Sequence, residues 1–201
     1  MSTEALKRFC TGFGLALVLM VLGSGCSPSS TSPGQPTYSY MSNNFFQIYS
    51  LLRRGNILPT KLSELGDPIN SNLFSSEDPN LFICPGTGSR VGPMSKIEEW
   101  TDYIYAGQPG ADYLINVAIL ISPPENHGGK EGYVLFSGGF VSRLPASDVR
   151  RLITNPFCMA TNETPDNIAS ARQVTIMSMP KRLRPYYPPG TFFSNLATNN
   201  P

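Results

Sequence analysis

Apolar residues recur at helical spacing around residue 45, and further along the chain they form short runs typical of strands. The helical stripe consists of Met41, Phe45, Ile48, Tyr49 and Leu52. This spacing predicts one amphipathic helix, which ends before the Arg-Arg-Gly sequence at residues 53–55. A shorter helical turn is predicted over residues 58–65, closed by Gly66.

Runs rich in β-branched and aromatic residues, bounded by Gly or Pro, predict strands beyond residue 80. They occupy residues 81–84, 103–105, 113–121, 133–136 and 140–144. The last two runs flank Ser137, Gly138 and Gly139, which predict a tight turn and therefore a hairpin. Ser147 is then predicted to cap a brief helix that runs through Ile153.

The order of these elements predicts an α+β fold, in which the N-terminal amphipathic helix packs on one face of a small antiparallel β-meander sheet. The predicted domain spans residues 39–154. Beyond it the periodicity fades, and the Pro-rich residues 155–201 are predicted to form a poorly ordered tail. A basic and aromatic stretch in that tail is a candidate docking segment, with Tyr186 and Tyr187 as its binding residues.

The first 25 residues have the organisation of an export signal. Lys7 and Arg8 precede an uncharged apolar run at residues 12–22, and small residues then lead to Cys26. A basic start, about 7–15 apolar residues and small residues before the cut define a secretory signal. The segment resembles the bacterial lipoprotein signal, which implies removal of residues 1–25 and lipidation of Cys26.

Two other interpretations of this segment stay open. A retained transmembrane anchor needs roughly 20 apolar residues, about twice the length of this run. An ordinary cleaved signal would leave Cys26 as a free thiol. Lipidation with chains such as palmitate predicts lasting membrane attachment, because stable anchoring takes at least two acyl chains. Residues 26–38 are small and polar with spaced prolines, and they then form a flexible tether.

The composition limits the classes of partner that the protein is expected to bind. The net charge is +1, with 15 basic and 14 acidic residues, so the sequence lacks the strongly basic balance of a nucleic-acid-binding protein. The 19 prolines and 18 glycines predict many turns. Ser27 after the predicted lipidated cysteine, where Asp commonly marks retention in the inner membrane, favours the periplasm-facing side of the outer membrane in a bacterial envelope.

A series of short motifs follows the predicted helix in a distinctive order. They are Leu58-Pro59-Thr60, Leu81-Phe82-Ile83-Cys84-Pro85, Asp102-Tyr103-Ile104-Tyr105, Asn126-His127-Gly128-Gly129 and Val134-Leu135-Phe136. Over roughly residues 42–153 this order resembles the globular part of type II secretion pseudopilin-like proteins. The resemblance implies a helix packed on a small antiparallel sheet and a role beside secretion-system or other envelope proteins.

The chain also departs from that family. Gly138 and Phe140 stand where the family's hairpin has Asp and His, which argues against a polar site in that turn. Leu17 stands where prepilin-type signals have Glu, and the apolar run is short. Both features argue against polymerisation into a pseudopilus and favour a pseudopilin-like domain on a lipoprotein anchor.

Two cysteines and one histidine are the candidate reactive residues of the mature domain. Cys84 and Cys158 are predicted to form a disulfide in an oxidising compartment, with two separate structural thiols as the alternative. Their spacing fits no zinc or redox motif, so no metal or cofactor is predicted. His127 lies in a loop before the hairpin, where a structural role is expected, and it is also a candidate binding residue.

Two further patterns are assigned no chemistry. Glycines at residues 86–92 punctuate a loop that follows a predicted strand, but Pro93 stands where a phosphate-binding loop would lead into a helix. The loop is therefore predicted to be a plain connection. The acidic residues are scattered and are predicted to form a solvated polar surface rather than a calcium site: Glu98, Glu99, Asp102, Asp112 and Glu125.

Three function hypotheses follow. The first is a non-enzymatic envelope lipoprotein whose pseudopilin-like domain binds or assembles, in connection with type II secretion. The second is an envelope hydrolase in which His127 acts with Cys84 or Cys158. The third is a structural surface protein. The sequence favours the first, because no nucleophile elbow or paired acid and base accompanies the single histidine.

Overall fold

In a computed structural model, the part of the chain that is described comprises residues 38–53, 58–66, 78–107, 116–160, 164–174 and 176–188. The predicted signal, Cys26 and most of the tether lie outside these residues, as does Asp112. Four α-helices are described: α1 (Tyr38–Leu52), α2 (Ile97–Trp100), α3 (Ala146–Thr154) and α4 (Pro165–Val174). Among the described helices, none combines the length and apolar character needed to cross a membrane.

Within the described residues, five strands form one antiparallel sheet in the order β4-β3-β2-β1-β5. The strands are β1 (Ile104–Gly107), β2 (Ala118–Ser122), β3 (Glu131–Phe136), β4 (Val141–Pro145) and β5 (Ile176–Ser178). The α+β class and the antiparallel meander from β1 to β4 are confirmed. The predicted hairpin is the β3–β4 pair, in which Leu135 lies opposite Val141.

Helix α1 covers one face of the sheet, as its apolar stripe predicts. Met41, Phe45 and Ile48 are fully buried, and they share one apolar cluster with Tyr105 and Leu135 of the sheet. Each fully buried side chain of this size stabilises the fold by about 1.5–3 kcal/mol. Packing on the sheet therefore holds the helix in place.

The other face of the sheet is covered as well, which the sequence analysis did not predict. Val149 and Leu152 of α3, together with Leu183 near the C-terminus, pack against Ile104 and Val134. All five residues of the central strand β2 are buried. A strand covered on both faces requires apolar side chains at consecutive positions, and the sequence of β2, Ala-Ile-Leu-Ile-Ser, supplies them at the first four.

The expectation of a poorly ordered tail over residues 155–201 differs from the structure at residues 155–160, 164–174 and 176–188, and the rest of that tail lies outside the described residues. Residues 165–174 form α4, and residues 176–178 form β5, which pairs with the otherwise free edge of β1. We call residues 179–188 the arginine segment; its Met179, Leu183 and Tyr187 side chains join the apolar cluster under α3. A three-residue strand is too short to show periodicity, so its partner strand decides its conformation.

Two local predictions are corrected. Residues 81–84 were predicted as a strand, but residues 79–82 form a 3-10 turn in which the Asp78 side chain accepts a hydrogen bond from the Asn80 N–H. Helix α3 begins at Ala146 after Pro145, and no side chain caps it, so Ser147 is inside the helix. The short helical turn predicted near residue 62 is a 3-10 turn, Leu62–Gly66.

Candidate functional site

Polar side chains converge at one end of the sheet, where β2 ends and the chain enters β1. We call this cluster the polar end. Its members are Cys84, Thr87, Ser89, Asp102, Ser122, Asn126, His127 and Arg182. Five of them are buried at 7 % exposure or less, namely Cys84, Asp102, Ser122, Asn126 and His127.

Asp102 is the centre of the polar end and is fully buried. Its Oδ2 accepts hydrogen bonds from the Cys84 backbone N–H at 2.9 Å and from the Thr87 hydroxyl at 2.5 Å. Its Oδ1 accepts from the Ser89 hydroxyl at 2.6 Å and from Arg182 Nε at 2.9 Å. Because a buried carboxylate requires hydrogen bonds and a counter-charge, these donors offset the loss of hydration.

The glycine loop after Cys84 positions two hydroxyl groups that donate to Asp102. Gly86 and Gly88 adopt positive φ angles of 86° and 71°, conformations that glycine tolerates best. These turns bring the hydroxyls of Thr87 and Ser89 to the Asp102 carboxylate. The loop thus wraps a carboxylate of its own chain and holds it with side-chain donors.

Arg182 links the arginine segment to the polar end. Its Nη2 donates a short hydrogen bond to Asn126 Oδ1 while its Nε donates to Asp102. Asn126 Nδ2 in turn donates to the Asp102 carbonyl at 2.8 Å and to the Ser122 hydroxyl at 3.1 Å. One guanidinium therefore joins the arginine segment to the residues that follow β2 and to those that precede β1.

His127 and Ser122 form the pair that most resembles catalytic chemistry. Ser122 Oγ and His127 Nε2 lie 2.7 Å apart, and the imidazole ring meets the Tyr133 ring edge to face at 4.7 Å. Burial lowers the pKa of His127 from 6.5 to about 4, against the opposing effect of Glu131, because the charged form loses its hydration. The imidazole is therefore neutral at pH 7.

The two cysteines lie apart. Cys84 belongs to the apolar cluster under α1, whereas Cys158 packs with the cluster under α3, and both thiols are free. The predicted disulfide is therefore not formed in the structure, because the sheet lies between the two clusters. Burial raises the pKa of Cys84 to about 12, with a hydrogen bond to Ser122 acting in the opposite direction.

The two candidate tyrosines have different environments. Tyr187 is 4 % exposed, and its hydroxyl donates to Glu125 Oε2 at 2.7 Å, while Arg150 pairs with the same carboxylate at 3.2 Å. Burial raises the pKa of Tyr187, and Glu125 adds to that effect. Tyr186 is 59 % exposed. Of the three candidate binding residues, His127 and Tyr187 are thus buried, and Tyr186 alone lies on the surface.

Sequence reasoning missed most of the polar end. Asp102 was assigned to the solvated surface, yet it is fully buried, and Ser122, Asn126 and Arg182 were assigned no role. Asp102 lies 13 residues from Ser89 and 80 residues from Arg182 in sequence. No local pattern reports pairs so far apart, because the folded sheet brings them together.

The chemistry available at the polar end is mainly hydrogen bonding. Among the described residues, no group of three or more His, Cys, Asp and Glu side chains is placed to hold a metal ion. Within the same residues, one buried side-chain polar atom has no hydrogen-bond partner, Nδ2 of Asn44 in α1. The polar end itself is satisfied by its own members, a property of structural networks.

Comparison with protein-family models, with curated proteins and with solved structures found no match for this chain.

Proposed function

We propose that the chain is a non-enzymatic lipoprotein of the bacterial envelope, anchored through Cys26, whose pseudopilin-like domain binds or assembles with envelope proteins of type II secretion. The observation that supports the domain's non-enzymatic role is the polar end, where Asp102, His127 and Cys84 are all buried. Asp102 accepts a hydrogen bond from the Cys84 N–H, and His127 contacts Ser122. The anchor is supported by the basic, apolar and small residues that precede Cys26.

The protonation states at the polar end are poorly suited to catalysis. Because burial raises its pKa to about 12, the Cys84 thiol stays protonated at pH 7 and is a poor nucleophile. His127, with a pKa of about 4, is a weak base and is not protonated for acid catalysis. Catalytic groups are instead expected to titrate near the working pH and to be accessible to substrate.

The turn before β3 supports the pseudopilin-like interpretation. Gly128 and Gly129 adopt φ angles of 71° and 83°, so both positions of the His-Gly-Gly motif require glycine. The N–H of Gly129 and that of His127 both donate to the Pro124 carbonyl at 2.8 Å. The geometry of this turn therefore explains the two glycines of the motif, and other hairpins with the same turn would need glycine at the same positions.

The decisive experiment measures acylation of the full chain in a bacterial host, with Cys26→Ser as the test variant and Cys158→Ser as a matched cysteine control. We expect palmitate label, the mass of a lipidated mature chain and membrane retention for the parent and the control. Cys26→Ser should lose the label and the retention together. An unlabelled parent of full-length mass would contradict the anchor.

A second candidate is an envelope hydrolase, for which the sequence suggests His127 with Cys84 or Cys158. The observation that favours it involves a different partner, the 2.7 Å contact between Ser122 and His127. Ser122 is fully buried, so a substrate would reach it only after the polar end opened. Labelling with a fluorophosphonate probe, compared between the parent and Ser122→Ala, tests this candidate. We expect no label on either protein; label that Ser122→Ala abolishes would favour the hydrolase.

A further inference from the structure

Helix α1 carries no charged residue along its 15 positions. Seven of these residues are exposed: Tyr38, Ser39, Tyr40, Asn43, Phe46, Gln47 and Ser50. We call this set the uncharged face. The water-facing side of an amphipathic helix ordinarily carries charged residues, so a face of aromatic and neutral polar residues is unusual. Aromatic enrichment together with depletion of charge is the composition of contact surfaces.

The surroundings of the uncharged face carry one cation at the C-terminal end of the helix, Arg53, whose guanidinium lies 5.8 Å from the centroid of the Tyr49 ring. The rest of the border is neutral or paired. The Tyr49 hydroxyl donates to the Ser137 carbonyl at 3.0 Å, and Gly139 has a φ of 83° and lies so close that a Cβ there would meet the Tyr49 ring at 2.8 Å. The uncharged β3–β4 turn is thereby held beside the helix. Near Tyr38 the face is bordered by Arg143 and Glu131, which neutralise each other in an ion pair.

The opposite side of the sheet is different. Helix α3 exposes Arg150 and Arg151, and the arginine segment exposes Lys181 and Arg184. Arg150 and Arg151 already pair with Glu125 and Asp148 within the domain, and the exposed parts of these side chains are hydrated. The domain thus has one side suited to a less polar environment and one suited to water.

The size of the uncharged face limits its occupant. A helix of 15 residues is roughly 22 Å long and 10 Å wide, which gives roughly 220 Å² of contact. A stable protein interface buries about 800 Å² on each partner. The uncharged face alone is therefore too small for a free-standing dimer, but a weak contact suffices where a tether holds the two surfaces together at millimolar effective concentration.

The chain supplies such a tether. Tyr38 follows Cys26 by 12 residues, which span at most about 40 Å when fully extended. A lipid on Cys26 would thus keep the first turn of α1 close to the bilayer. Tyrosine, with an apolar ring and a polar hydroxyl, suits the boundary between headgroups and acyl chains.

We propose that the uncharged face of α1 docks on the headgroup region of the bilayer to which Cys26 is anchored. The inference rests on the proposed lipid anchor. It orients the domain so that α3 and the arginine segment face the aqueous compartment and their partners.

The test uses the full chain, purified from membranes and reconstituted in vesicles of phosphatidylethanolamine and phosphatidylglycerol, with Cys10→Ser and Cys158→Ser as background. A nitroxide is attached at Asn43→Cys on α1 or at Ser147→Cys on α3, both exposed positions. Collision with oxygen reports lipid, and collision with a nickel chelate reports water. We expect a higher oxygen-to-nickel ratio at position 43 than at position 147.

Matched aromatic variants sharpen the test. Phe46 and Tyr186 are 60 % and 59 % exposed and lie on opposite sides of the sheet. Phe46→Ser should lower the docking equilibrium constant, measured at position 43, roughly tenfold, the change expected on losing one buried aromatic side chain. Tyr186→Ser should leave it unchanged. Circular dichroism checks that both variants stay folded.

Three outcomes would overturn the docking. Chains that sediment with vesicles but show water contact at both positions retain the anchor and refute the docking. Chains that fail to sediment refute the anchor and the docking together. Shielding of position 43 from both reagents in detergent as well as in vesicles would assign the face to a second copy or another protein.

Discussion

The α1 layer and the polar end stabilise the same sheet by different means. Under α1, Met41, Phe45 and Ile48 follow one another at helical spacing and enter one apolar cluster. At the polar end, Asp102 and Arg182 meet from positions 80 residues apart and depend on matched hydrogen bonds. The first region depends on shape and volume, whereas the second depends on each partner being present. Substitutions should therefore fail for different reasons in the two regions.

The largest effect is expected from Phe45→Ala in the α1 layer. The Phe45 ring is fully buried and meets Tyr103 edge to face at 5.1 Å. Its removal leaves a cavity and should lower the free energy of unfolding by about 4 kcal/mol. The neighbouring variant Phe46→Ala, at an exposed position, should change it by less than about 0.5 kcal/mol. Urea unfolding measures both, and equal losses would mean that α1 does not pack as described.

Arg182→Ala tests the polar end. The variant leaves the buried Asp102 carboxylate without its counter-charge, while Arg182 itself is 34 % exposed. We expect a loss of about 3 kcal/mol, the lower end of the range for breaking a buried pair. Arg184→Ala, two residues away and exposed, is the control and should have little effect. A neutral Arg182→Ala would show that hydrogen bonds alone sustain Asp102.

The pH dependence of stability tests the state of His127. Its pKa is about 4 in the folded protein and about 6.5 when unfolded, so only the unfolded chain takes up the proton between these values. The contribution of His127 is complete above pH 6.5 and is lost as the pH falls to about 4. The loss should reach about 3 kcal/mol, because each pKa unit of the difference is worth about 1.4 kcal/mol.

His127→Gln is the control for that titration, because glutamine does not ionise in this range. The free energy of unfolding of the parent minus that of His127→Gln should fall as the pH is lowered from 6.5 to 4 and stay constant below. Carboxylates titrate in both proteins, so the difference isolates the histidine. A constant difference across this range would mean that His127 is protonated in the folded domain.

The smallest effect is expected from Tyr187→Phe, which removes one hydroxyl from the arginine segment. The ring still packs beneath α3, but the 2.7 Å hydrogen bond to Glu125 is lost. The free energy of unfolding should fall by about 1 kcal/mol. Tyr186→Phe, with an exposed side chain, should be neutral. If both variants match the parent in chemical unfolding, the contact of Tyr187 with Glu125 adds no stability.

The parts of the fold that sequence predicted are those with a local signal. Met41 to Leu52 repeat with the period of a helix, and Ser137 to Gly139 form a turn between two β-rich runs. The strand predicted at residues 81–84 was wrong because apolar and β-branched residues suit a buried 3-10 turn as well as a strand. Strand β5 escaped prediction because its conformation depends on the edge of β1.

The candidate site was less predictable than the fold. His127 was identified because it is the single histidine, but its burial and its contact with Ser122 were not foreseen. Cys84 and Cys158 suggested a disulfide by number alone, while the structure places them in clusters on different sides of the sheet. Residue type identifies which side chains could react or form a bond. Only the packing of the folded chain decides which of them come into contact.

By itself the sequence determined the elements that short-range periodicity encodes: α1, the β3–β4 hairpin and the α+β order of the domain. Only the tertiary structure determined that Asp102 is buried. Its hydrogen bonds join the loop after Cys84, the end of β2 and the arginine segment in one network. The physical reason is the sequence separation over which each interaction acts. Helix and turn signals act over a few residues, whereas burial and charge pairing depend on segments that meet only when the sheet has formed.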